Sequence, residues 1–157
     1  MNVISRTMWL LVFCCVAFAA NDTNTTSGLT SKGPGLALHG YDAVAFFTEH
    51  RAVEGTARHA VVYNEATYRF SSEENRAAFA RNPEKYVPQF GGFCAYGVSV
   101  GAKFDGDPRY WKIVGGKLYV NLNGDIQQTW LKDVSGNIHK AEKAWGKIAA
   151  KPAAALK

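Results

Sequence analysis
The 157-residue chain is poor in cysteine, and two of its three cysteines, Cys14 and Cys15, sit in an apolar segment near its start. Beyond that segment only Cys94 remains, so the rest of the chain cannot close a disulfide on itself. No apolar run reaches the roughly 18 residues that a membrane span requires, which argues against an integral membrane protein. Positive charge exceeds negative, 18 to 13, for a net charge of +5. The basic residues are dispersed rather than gathered on one stretch, so no nucleic-acid partner is expected. The patterns HExxH, CxxC, CxxCH and the phosphate-binding P-loop are all missing. Zinc-protease, thioredoxin-like, c-type haem and P-loop readings therefore lack support. No paired acid/base constellation is visible, and the chain is not expected to be an enzyme. With 47% hydrophobic and 20% charged residues, a disordered polyelectrolyte is excluded as well.

What is there begins with a targeting segment. Arg6 precedes an apolar stretch over residues 8–18, and Ala17-Phe18-Ala19 supplies the small-x-small pattern of a cleavage site. Residues 1–19 read as a secretory signal peptide, so the protein is expected to be exported, to a periplasm or the extracellular space. Bulky Phe13 before Cys14 argues against lipidation there. Residues 20–35 are rich in Asn, Thr, Ser and Gly and read as a flexible leader. Asn21 and Asn24 each open an Asn-x-Thr glycosylation pattern. Residues 36–148 form one domain, and residues 149–157 an Ala/Lys/Pro tail expected to be disordered.

Within the domain, residues 44–48 favour a strand, and 59–63 with 67–70 a hairpin across the turn Asn64-Glu65-Ala66. Ser71 and Glu74 form a capping box for a helix over about 72–81, with Phe79 facing the core. Asn82-Pro83 ends it and starts a short helical turn reaching Tyr86. Residues 91–101, punctuated by glycine, read as an irregular strand. Residues 110–114 and 117–122 flank Gly115-Gly116, the clearest hairpin signal. Asn123 caps a helix carrying Ile126 and Trp130; Ser135 caps another carrying Ile138, Ala141, Trp145 and Ile148 on one face. The order hairpin, helix, hairpin, two helices predicts an α+β fold, with a small antiparallel sheet packed against helices.

Residues 70–87 hold Phe70, Ser72, Phe79, Pro83, Lys85 and Tyr86 in the register of a YHS domain, which this stretch resembles. Residues 40–47 resemble the Gly-Tyr-Asp-Pro-Val-Ala-Tyr-Phe start of the exported YHS-domain proteins. Residues 91–98, 111–114 with 116–119, and the closing stretch to Trp145 continue the likeness, so it spans about 36–148 in order. The resemblance implies a YHS-like α+β fold, related to TRASH-type metal-binding domains. It also implies a non-enzymatic binding role in transition-metal handling, with copper ahead of zinc. The two helix-start cysteines of the metal-binding version are Ser71 and Asn75 here, and Asp42-Ala43-Val44-Ala45 lacks the cysteine after Asp-Pro-Val. Serine and asparagine are poor substitutes for a thiolate, so the familiar ligand set does not carry over. The alternative is an envelope protein-interaction or scaffold module in which the metal site has been lost.

Cys94, beside Gly91-Gly92 and two residues before Tyr96, is the leading candidate metal ligand, with His39 and Asp42 as its candidate companions. A packed, inert thiol and a dimer through Cys94 are the competing readings. His59 reads as a half-exposed strand residue, and His50 and His139 as surface positions. Asp105-Gly106-Asp107 resembles part of a calcium loop but reads as a turn. Residues 97–101 fit G-x-S-x-G, without the helix that a nucleophile elbow needs after it. Lys140, Lys143 and Lys147 form a basic stripe on the last helix, ordinarily a solvated face and otherwise a surface for an anionic partner.

Overall fold
Alternation of small or apolar with polar side chains in Ala66-Thr67-Tyr68-Arg69-Phe70 is the pattern of a strand with one buried face. In the computed structural model, which describes residues 23–26 and 35–156, that segment is such a strand, with Ala66, Tyr68 and Phe70 all buried. The signal-peptide segment 1–19, Asn21 and most of the proposed leader lie outside the described residues.

The described residues hold six strands: β1 (Thr25–Thr26), β2 (Leu36–Ala37), β3 (Thr56–Tyr63), β4 (Ala66–Phe70), β5 (Asp107–Val114) and β6 (Lys117–Asn121). They make a four-stranded sheet, ordered β1-β2-β4-β3, and a separate β5-β6 ribbon. All pairs are antiparallel except β2 with β4, which meet in parallel at Leu36 and Thr67. Among the described residues five α-helices pack on them: α1 (Ala45–Thr48), α2 (Glu73–Arg81), α3 (Ala95–Ser99), α4 (Gly124–Leu131) and α5 (Val134–Ile148). The fold is α+β. Among the described residues no helix is long and apolar enough to cross a membrane.

Both hairpins form, and each turns through two residues of positive φ, as a two-residue turn matched to strand twist requires. Gly115 (57°) and Gly116 (74°) do this without a Cβ, whereas Asn64 (46°) and Glu65 (59°) carry side chains into the same region. α2 begins one residue later than expected. Ser72, not Ser71, caps it, its hydroxyl accepting from the Asn75 amide at 3.2 Å. Ser71 is unable to cap because its hydroxyl serves Asp42. α5 likewise starts at Asp133, whose carboxylate accepts from the Gly136 amide at 2.9 Å, rather than at Ser135. Asn123 caps α4 as expected, and Pro83 opens a single helical turn over Pro83–Lys85.

Three expectations are corrected. Residues 44–48 form helix α1 instead of a strand, because Asp42 turns the chain by accepting from the Val44 and Ala45 amides. Residues 91–101 are a tight turn followed by α3, not a strand. Positive φ at Phe90 (54°), Gly91 (63°) and Gly92 (83°) breaks extension, and Cys94 then starts the helix. The described parts of the leader and the tail take up regular structure. β1 pairs with β2, and residues 153–156 form one helical turn whose Ala153 and Leu156 pack on the protein.

Two cores result. The first joins the four-stranded sheet, α1 and α2; Phe79 lies against Tyr63, Tyr68 and Phe70 at ring distances of 5.9, 4.7 and 5.0 Å. The second gathers Phe90, Phe93, Tyr119, Trp130 and Trp145 under α3, α4 and α5, with Trp130 fully buried. Aromatic pairs at these separations add about 0.5–1.5 kcal/mol each beyond their buried area. The β5-β6 ribbon feeds both: Leu118 and Val120 to the first, Tyr119 to the second.

Candidate functional site
Three groups of polar side chains sit at the edges of these cores, and the three expected site residues fall one into each. The first centres on Asp42, fully buried in the turn before α1. Its Oδ1 accepts from the amides of Val44 (2.8 Å) and Ala45 (3.2 Å). Its Oδ2 accepts from the Ser71 amide (2.8 Å), the Ser71 hydroxyl (2.7 Å) and the Asn75 side-chain amide (2.7 Å). Five donors thus converge on one carboxylate, tying the α1 turn to the end of β4 and the start of α2. Buried carboxylates persist when charge and lone pairs are matched in this way.

The second group surrounds His39. Leu38 (φ 48°) and His39 (φ 51°) are consecutive non-glycine residues in the left-handed region, which costs on the order of 1 kcal/mol each. That backbone aims the imidazole at the loop before β5, where Nε2 lies 2.9 and 3.0 Å from the two oxygens of Asp105. Asn24 donates to the same carboxylate at 2.6 Å and to the Gly92 carbonyl at 3.1 Å, so the strand β1 is held at this point. Hydrogen bonding to Asp105 raises the His39 pKa against the opposing effect of burial. Burial pushes Asp105 up, but the bonds from His39 and Asn24 outweigh it and leave Asp105 lowered. Neighbouring Asp107 is lowered by a forked pair with Arg109. Gly106 between the two acids has no room for a side chain: a Cβ there would lie 2.4 Å from the Gly92 carbonyl oxygen. The Asp-Gly-Asp stretch is therefore a seat for His39 and Asn24 and not the turn that its sequence suggested: Asp105 pairs with Phe93 in an isolated antiparallel bridge and Asp107 opens β5.

The third group holds Cys94, 1% exposed. The sulfur caps α3 by accepting from the Gly97 amide at 3.4 Å, and lies 3.8 Å from Asn121 Oδ1. Burial pushes the thiol pKa up, against the pull of the backbone amides of Gly97, Leu122 and Tyr96. A raised pKa disfavours the thiolate, the form that binds metal and attacks disulfides. A dimer through this sulfur would need α3 to move aside, since the atom is enclosed. Asn121, fully buried, also accepts from the Tyr96 amide at 3.3 Å, which fixes its orientation. Its Nδ2, and Nε1 of Trp130, are buried without a hydrogen-bond partner among the described residues.

Cys94, His39 and Asp42 therefore do not share a centre. Among the described residues no three of His, Cys, Asp and Glu gather as a metal site would require. The other motifs are structural. Ser99 of the G-x-S-x-G stretch donates to the Tyr96 carbonyl at 2.7 Å inside α3, and His59 meets Glu73 at 3.4 Å on the surface. Sequence reasoning missed Lys103, which is 1% exposed. It donates to the carbonyls of Ala149 (2.5 Å) and Lys151 (2.8 Å) and lies over the rings of Phe93 and Trp145 at 5.0 and 5.1 Å. A single lysine in Ala102-Lys103-Phe104 carries no sequence signal of such a role. Comparison with known proteins found no matching family model, no matching curated protein and no matching solved structure.

Proposed function
We propose that the chain is an exported, non-enzymatic interaction module on a YHS-like framework, in which a buried carboxylate holds together the segments that a metal joins in the metal-binding version. The observation that supports this most is the set of five donors on Asp42. Ser71 and Asn75 stand at the helix-start cysteine positions of that version, and both donate to Asp42. A cation there would meet N–H and O–H groups instead of lone pairs, so the residues present do not fit copper or zinc. Hydrogen bonds to Asp42 and the first core join the turn, β4 and α2, and the framework is left free to display its surface.

Titration of the purified chain with Cu(I) and with Zn(II), alongside the variants Cys94→Ser and Asp42→Asn, tests this reading. The expected outcome is a folded protein without added metal, and weak metal binding that is the same in the wild type and in Cys94→Ser. Tight stoichiometric Cu(I) binding that vanishes in Cys94→Ser would instead restore a metal-handling role.

A further inference from the structure
One face of α5 carries an unusual distribution of charge. Lys140, Lys143 and Lys147 recur at helical spacing, all are exposed, and among the described residues none of them pairs with a carboxylate. The acid of this stretch, Glu142, faces elsewhere and lies 4.0 Å from Lys117. Across from the lysines runs the loop after α3, and residues 91–102 contain no charged side chain at all. Between helix and loop lies a groove of about 340 Å³, bounded by the three lysines, Ser99 and Gly101, with Ala144 and Ile148 also lining it. Ile148 is 6% exposed and belongs to the second core, so this lining is apolar and firmly held. Beside the groove, Val100 is 63% exposed, among the most exposed of the large aliphatic side chains. Gly101 (φ 85°) turns the loop away, and a Cβ there would meet nothing within 4 Å, so the groove is open at that end.

We infer that this groove is the docking site of an extended acidic peptide segment from another exported protein, one with carboxylates on both sides of an aliphatic residue. The inference rests on the interaction-module reading and names its partner class. Charge complementarity supplies the first reason: three unneutralised ammonium groups line one wall, and nothing opposes them on the other. Length supplies the second. Lys140 to Lys147 spans about 10 Å at 1.5 Å per residue, which is the reach of about three residues of extended chain. Shape supplies the third. A lipid surface is broad and flat; it would touch the lysine tips and leave the recessed aliphatic lining empty, whereas a side chain from a peptide fills it. Val100 alone is too small an anchor for a bilayer, but suits an apolar contact at the rim of a peptide.

Fluorescence anisotropy tests the assignment, with the full chain and a labelled octapeptide, Ser-Asp-Glu-Leu-Glu-Asp-Ser-Gly. Binding is expected for this peptide and not for its Asn/Gln counterpart. It should weaken by about tenfold or more in Lys143→Glu/Lys147→Glu, and by less than about twofold in Lys112→Glu, a lysine of the β5-β6 ribbon. Raising salt from about 50 to about 200 mM should weaken it further in the wild type than in the double variant. Lys143→Gln/Lys147→Gln, which places no new acid at the end of the helix, should show a smaller loss in the same direction. Equal affinity in the wild type and both double variants, or no binding by the wild type, would overturn the inference. So would lysine-dependent binding to phosphatidylglycerol vesicles in place of the peptide. Metal titration reads the underlying proposal separately: tight Cu(I) binding through Cys94 sinks that proposal, and absent peptide binding with weak metal binding sinks only the groove.

Discussion

Asp42 and Asn121 are both fully buried polar residues, one at the edge of each core, and they are solved in opposite ways. Every lone-pair direction of Asp42 is met by a donor, and three of the five donors come from the sequence-distant residues Ser71 and Asn75. Asn121 uses one oxygen for the Tyr96 amide and the Cys94 sulfur, while its own amide group and the nearby core's Trp130 indole nitrogen go unmatched among the described residues. An unmatched buried donor costs about 1–3 kcal/mol, so the second core contains polar groups that work against it. The first is organised around a charge, and the second around aromatic area that outweighs two such penalties. A buried polar group is thus a poor guide to function until its partners are counted.

The largest effect should follow from Asp42→Asn. An amide NH2 placed at either oxygen position confronts at least one backbone N–H, from Val44 and Ala45 on one side or Ser71 on the other, so no flip escapes. A loss of about 3 kcal/mol or more in chemical denaturation is expected. A loss under about 1 kcal/mol would show that the cluster is not the anchor of the first core. Lys103→Met should come next, at about 1–2 kcal/mol, because it removes charge-assisted bonds to the end of α5 and contacts to two rings while relieving a buried charge. Hydrogen exchange should show the turn at residues 153–156 opening in this variant; unchanged protection there would separate Lys103 from the tail. Asn121→Leu should be nearly neutral, within about 1 kcal/mol, since the lost acceptor for Tyr96 is offset by removal of an unmatched donor. A loss as large as that of Asp42→Asn would erase the contrast between the two cores.

The α+β class, both hairpins and the helices around Phe79, Trp130 and Trp145 were legible because each rests on local periodicity and turn chemistry. Gly115-Gly116 and Asn123 act on their immediate neighbours, and their signals are short in range. The site was not legible in the same way. Asp42 was singled out as a ligand, yet its role depends on Ser71 and Asn75, about thirty residues away in sequence. The same long-range demand displaced the helix cap from Ser71 to Ser72, while the other oxygen of Asp42 turned the chain locally into α1. Cys94 reads the same in the sequence whether its sulfur faces solvent or Asn121. The dense glycine pattern of residues 91–101 told of positive φ but not of the helix that follows. Asp105 looked like a bare turn, because its partners are His39 and Asn24 on the other side of the chain.

The smallest effect concerns that last group and is a dependence on pH. His39 has a raised pKa in the folded protein, so its ion pair contributes fully below the ordinary histidine value of 6.5 and is lost as pH climbs through the folded value. Asp105 is lowered, so its contribution is present above the ordinary aspartate value of 3.8 and is lost as pH falls through its folded value. The pair is therefore strongest in the window between those two titrations. Both side chains are partly exposed, at 31% and 59%, and salt screens them, so the contribution stays under about 1 kcal/mol. His39→Gln keeps the left-handed backbone equally strained but removes the charge. Denaturation midpoints of wild type and variant should diverge below the ordinary histidine value of 6.5 and converge as pH climbs through the raised His39 titration, with the divergence shrinking in high salt. Parallel pH profiles would mean that the Asp105 carboxylate is held by Asn24 and its surroundings, and that His39 adds shape to this corner without adding charge.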